Sequence, residues 1–195
     1  PKGGDTVEKT AVQKLAGALK VLVTITLVCN LVALLLVPGM SLMKGPEELL
    51  ALTPYENPLE VPLRMGIAFV LSWGWVWTAG VYEVVLALFL LFCGICTAVI
   101  LWQGRRVLGT ILTGAPFRAE NGVSLRRAAV CCFLIAAAAL ARVVWGLFYY
   151  GSVAPLLTYN ALFVPIFILG GLLCLVMSAL FRQAAELKAE NDLTI

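Results

Sequence analysis

Four runs of about twenty apolar residues, nearly free of charge, constrain this chain more than any other feature of it. They cover residues 15–37, 79–101, 128–150 and 161–181. At a rise of about 1.5 Å per residue, roughly 20 apolar residues in a helix cross the approximately 30 Å hydrocarbon core of a bilayer. Inside that core each backbone N–H and C=O must be satisfied within its own segment or in a closed barrel, so runs of this length are expected as helices. Composition supports lipid rather than a soluble core as their surroundings. Of the 195 residues, 62% are hydrophobic and 13% charged, with a mean hydropathy of +0.98. An ordinary globular domain is about half apolar and roughly a quarter charged. The expected fold class is therefore an all-α membrane protein, a four-transmembrane-helix bundle forming a single domain over residues 1–195. The first run is too long for a cleavable leader and no small-residue cleavage pattern follows it, so it is expected to be a membrane helix.

Charge gives the bundle a direction, because loops rich in Lys and Arg resist translocation. Lys2, Lys9, Lys14 and Lys20 precede or open the first run; Arg105, Arg106, Arg118, Arg126 and Arg127 lie between the second and third; Arg182 and Lys188 follow the fourth. That puts eleven on one side, against Lys44 and Arg64 on the other. The N-terminus, the loop at 102–127 and the tail at 182–195 are expected in the cytoplasm. The loop at 38–78 is then extracytoplasmic. That loop begins acidic and proline-rich and turns apolar and aromatic from Gly66 to Trp77, with Trp73, Trp75 and Trp77 alternating. Two readings stand: a short hairpin on the membrane surface, or an early start to the second helix. Period-two alternation favours the hairpin, and the loop is expected to be partly structured.

Chemistry-bearing residues are few. There is no histidine, the commonest general base and metal ligand. All six cysteines lie in apolar runs, not in the loops where a disulfide framework would be. Cys93 and Cys96 have the C-x-x-C spacing of thiol redox centres and of half a zinc site, but no second pair or loop cysteine accompanies them; they read best as small packing residues. No catalytic residues, metal or cofactor are expected. Arg142 stands inside the third run and needs a partner, since a bare guanidinium there costs a few kcal/mol. Glu83, near the outer end of the second run, is one candidate; snorkelling to headgroups is the other. With Asn30, these two define a candidate intramembrane polar site. Asn30, Thr24, Thr26 and Thr97 are also placed to hydrogen-bond between helices. The net charge of +3 is too small and too dispersed to suggest direct nucleic-acid binding.

Two segments expected in the cytoplasm carry more pattern than the helices do. One is Pro116-Phe117-Arg118-Ala119-Glu120-Asn121, followed by Leu125-Arg126. The other is the terminal run from Ala185 through Glu190-Asn191-Asp192-Leu193-Thr194-Ile195. In these motifs the chain resembles a bacterial family of small four-helix membrane proteins whose function is unassigned. The resemblance implies a neighbour: genes of that family often lie beside one for a small Cro/C1-type helix-turn-helix regulator.

The leading expectation is a non-enzymatic membrane sensor or regulator. It would bind such a regulator through Phe117, Glu120, Asn121, Arg126 and the tail residues Glu190, Asn191, Asp192, Leu193, Thr194 and Ile195. The alternatives are a small transporter or channel subunit built on Arg142, Glu83 and Asn30, and a membrane thiol oxidoreductase using the C-x-x-C. The lipid bilayer and a second copy of the chain are the other expected partners.

Overall fold

The computed structural model describes residues 11–42, 60–115 and 117–192. Within them five helices form: α1 (Ala11–Leu42), α2 (Glu60–Trp75), α3 (Val81–Leu112), α4 (Ala119–Tyr150) and α5 (Tyr159–Asp192), with short 3-10 turns at Val76–Thr78 and Ala154–Leu157. Apolar side chains drive this result in two ways. In lipid the helix is the one open-chain form that hides its own backbone, and the outward faces stay apolar, with Leu22, Leu35, Ile95, Leu169 and Leu173 all exposed. The protein is all-helical among the described residues, and α1, α3, α4 and α5 are long and apolar enough to cross a membrane. Each overshoots its apolar run. Helices of 32 to 34 residues reach about 50 Å, well beyond the roughly 30 Å of hydrocarbon. Much of the expected loop at 102–127 is thus helix, and the tail continues α5 as far as Asp192.

The chain divides into two compact units, Cys29–Ile95 and the combination of Pro1–Val28 with Cys96–Ile195. In the first, the end of α1, the 3-10 turn after α2 and the start of α3 share a core of Val37, Val76 and Ala87, joined by Leu90 and Leu91. The Trp73 indole donates to the carbonyl of Leu35 at 3.1 Å, and the Phe69 ring lies against Gly39. Asn30 Nδ2 donates to the Gly94 carbonyl at 2.9 Å, tying α1 to α3.

The expected surface hairpin at 66–77 is corrected by this unit, where the segment is helical through Trp75. The tryptophan alternation is real but does not report the buried face. Trp73, Trp75 and Trp77 are all exposed, whereas Phe69, Ser72 and Val76 turn inward. Those three follow the i, i+3, i+7 spacing of a helix. The acidic, proline-rich stretch at 43–59 lies outside the described residues, as do Lys2, Lys9, Pro116, Leu193, Thr194 and Ile195.

In the second unit α4 carries a buried stripe of small residues: Ala128, Ala129, Cys132, Ala136, Ala139, Val143 and Gly146. Small side chains at helical spacing let neighbouring backbones approach closely. Gly171 of α5 receives the Phe133 ring, and Gly146 receives Pro155 from the turn that joins α4 to α5. Gly151 ends α4 in the left-handed region, at φ 58°, where a residue without Cβ is unstrained.

Candidate functional site

The turn between α3 and α4 is held at both ends by backbone hydrogen bonds. Gly114, at φ 72°, closes α3, with its N–H donating to Ile111 O and that of Ala115 to Thr110 O, both at 3.1 Å. Left-handed closure of this type satisfies carbonyls that a helix end otherwise leaves open. Arg118 is extended (φ −113°, ψ 138°) and its carbonyl accepts the Asn121 N–H at 3.0 Å, starting α4. Thus residues 117–121 of the motif form the entry into α4.

Its side chains divide by role. Asn121 is 1% exposed, and its Nδ2 donates to Thr110 Oγ1 at 2.7 Å, joining the end of α3 to the start of α4. Glu120 and Arg106 form an ion pair at 3.5 Å with both side chains largely in solvent, 66% and 52% exposed. Phe117 leans on Phe181 of α5, ring centroids 6.5 Å apart. Gly122 sits under α5: its carbonyl accepts the Ser178 hydroxyl at 2.7 Å, and a Cβ there would meet Arg182 Cγ at 2.9 Å and Ser178 O at 3.0 Å. Arg126 is exposed one to two turns further along α4.

These contacts seat the first motif on α5 just before the terminal motif begins at Ala185. Phe117 and Gly122 abut α5 at residues 178–182, the point from which α5 continues with exposed Glu186, Leu187, Lys188, Glu190 and Asn191. Sequence reading did not single out Thr110, Gly122, Ser178 or Phe181 as the links. Two of them had a readable signal, since a glycine beside a buried-end asparagine and a serine inside an apolar helix both mark close helix approach.

The intramembrane candidates are distributed over both units. Asn30 and Glu83 belong to Cys29–Ile95, and Arg142 belongs to the other. Arg142 Nη1 donates to Asn160 Oδ1 at 3.3 Å, a partner on the second residue of α5 that sequence reading missed. Beside it Trp145 stacks on Tyr149 at 4.9 Å, and Tyr149 meets Tyr150 edge-on at 5.1 Å, a cluster suited to a membrane interface. Glu83 lies in the first turn of α3 with its carboxylate folded back over Gly80, where an acid favours the positive end of the helix. Thr24 and Thr26 do not bridge helices: each donates to a carbonyl of α1, Lys20 O at 2.7 Å and Leu22 O at 2.9 Å. The cysteines are free thiols. Cys96 of α3 and Cys131 of α4 are neighbours, as are Cys132 of α4 and Cys174 of α5.

Residues 52–195 match a family model described as a protein of unknown function (DUF2975). No curated protein and no solved structure matches the chain.

Proposed function

We propose, from the premise that this chain belongs to the DUF2975 family, that it is a non-enzymatic regulator of a bacterial cytoplasmic membrane. The α3–α4 junction and the α5 extension form its docking surface for a cytoplasmic helix-turn-helix transcription regulator. The supporting observation is the seating of Phe117 and Gly122 against α5 at Ser178, Phe181 and Arg182. The terminal motif begins at Ala185, three residues beyond Arg182, and this closeness along α5 supports reading the two motifs as one docking surface. Arg118, Arg126, Glu120 and the α5 residues Glu186, Lys188 and Glu190 give that face mixed charge, which favours specific pairing over general attraction to nucleic acid. A membrane protein of this kind would act by holding or releasing its regulator as the bundle changes state. Because Asn160 engages the Arg142 guanidinium, that residue needs no transported ligand to account for it, which weighs against the transport alternative.

Co-purification from native membranes tests the docking. The intact chain is expected to retain a helix-turn-helix protein identified by mass spectrometry. Deleting 190–195, or replacing Arg126 and Glu120 with alanine, is expected to release it while leaving the bundle folded. Retention unaffected by both changes would remove this reading.

A further inference from the structure

The beginning of α1 and the end of α3, in the same unit, enclose an open cleft of about 390 Å³ lined by Lys20, Trp102, Arg105, Arg106 and Gly109. We propose that this cleft is a specific site for the phosphate of an anionic phospholipid headgroup.

Three of its five lining residues are cationic. The Arg105 guanidinium lies 5.7 Å from the Trp102 ring centre, held at the face of the indole. Lys20 Nζ lies 3.6 Å from where a Gly109 Cβ would stand, so the ammonium occupies room that a side chain at 109 would limit. Arg106 is shared with Glu120, but at 3.5 Å and largely in water that pair is weak and leaves guanidinium donors available. Among the described residues neither Lys20 nor Arg105 is in an ion pair. Guanidinium forks flanked by an ammonium suit the oxygens of a phosphate.

Depth selects a lipid as its source. Lys20 lies in the opening turns of the apolar run of α1, whose uncharged stretch begins at Val21, and the run of α3 ends at Leu101, immediately before Trp102. Both ends converge on the cleft, which therefore opens at headgroup level. There the 55% exposed Trp102 indole offers the amphipathic surface that aromatic residues present to a membrane interface. Basic pockets between membrane helices at this level take anionic headgroups.

The test uses the full chain purified in neutral detergent, incubated with equimolar phosphatidylglycerol and phosphatidylcholine, and analysed by native mass spectrometry. Phosphatidylglycerol is expected to be retained with a preference on the order of tenfold. The double variant Lys20→Gln/Arg105→Gln should abolish the preference, as should Gly109→Leu, which fills the cleft and keeps every charge. Arg127→Gln, which removes a charge outside the cleft, and Gly109→Ala, whose Cβ makes only ordinary contact, should preserve it. Equal retention of the two lipids by the wild type overturns the proposal, and so does a preference that survives the double variant. Displacement of the bound lipid by millimolar inorganic phosphate would assign the cleft to a soluble phosphate and overturn the lipid source. If the double variant fails to fold, Trp102 fluorescence, taken as wild type minus Trp102→Phe, decides instead. It should be quenched by phosphatidylglycerol spin-labelled near the glycerol more strongly than by equally labelled phosphatidylcholine, and equal quenching overturns the site.

Discussion

Asn121 belongs to the motif expected to meet a partner, yet its side chain is turned inward to Thr110. A buried amide whose bond is lost typically costs about 1–2 kcal/mol, so Asn121→Ala is expected to lower the thermal midpoint of the purified protein. If docking occurs at this junction, Asn121→Ala weakens it in step with stability, whereas exposed Arg126→Ala weakens docking with the midpoint unchanged. The glycines make a sharper comparison. Gly122→Ala would set a Cβ 3.0 Å from a backbone oxygen of α5, where no side chain can swing aside, while nothing lies within 4 Å of a Cβ at Gly170. Overpacking of that kind typically costs about 1–3 kcal/mol, and alanine in an open helical position gains up to about 1 kcal/mol over glycine. Gly122→Ala is therefore expected to destabilise and Gly170→Ala to be neutral or stabilising, read by unfolding in the same detergent. A sequence pattern names both glycines as small; the difference between them depends on Ser178 and Arg182, fifty or more positions away.

At the scale of elements, hydropathy located the membrane helices because the quantity it sums, apolar length against bilayer thickness, is the quantity that selects a spanning helix. It was silent about the polar ends, where α3 runs on to Leu112 and α4 begins at Ala119, since a helix in water is stabilised by caps and packing instead. α2 shows the opposite difficulty. Its tryptophans obey a period of two, but what orders the helix is the spacing of Phe69, Ser72 and Val76 and the reach of Trp73 to Leu35 O. The pairing of α3, α4 and α5 has a direct chemical readout in the thiols. Cys96 and Cys131 are in reach of each other, as are Cys132 and Cys174, and none of these pairs was legible from the C-x-x-C spacing. A short bifunctional thiol reagent such as dibromobimane should cross-link Cys96 to Cys131 in membranes. In a chain retaining only those two cysteines, peptide mapping should recover the α3–α4 adduct, and none should form once Cys131 is serine. Failure to cross-link in the folded protein would mean that α3 and α4 do not meet at this level.

For the whole molecule the open question is which way it faces, and it rests on arithmetic of charge: eleven Lys and Arg residues flank one end of the membrane runs and two the other. A bias of that size normally sets orientation. It predicts that the α3–α4 junction and the α5 extension lie in the cytoplasm, the compartment in which a transcription regulator is found. Fluorescent-protein fusions at Ile195 or inserted at Gly114 are expected to fluoresce. Alkaline phosphatase fused at those positions should be inactive, but active when inserted at Ser152 or within 43–59. The inverted pattern would separate the two functional proposals. A docking surface facing away from the cytoplasm could not meet a transcription regulator, and the proposed function would fall. The lipid site would survive, because phosphate headgroups cover both leaflets and the cleft at Lys20 and Arg105 needs only to lie at their depth.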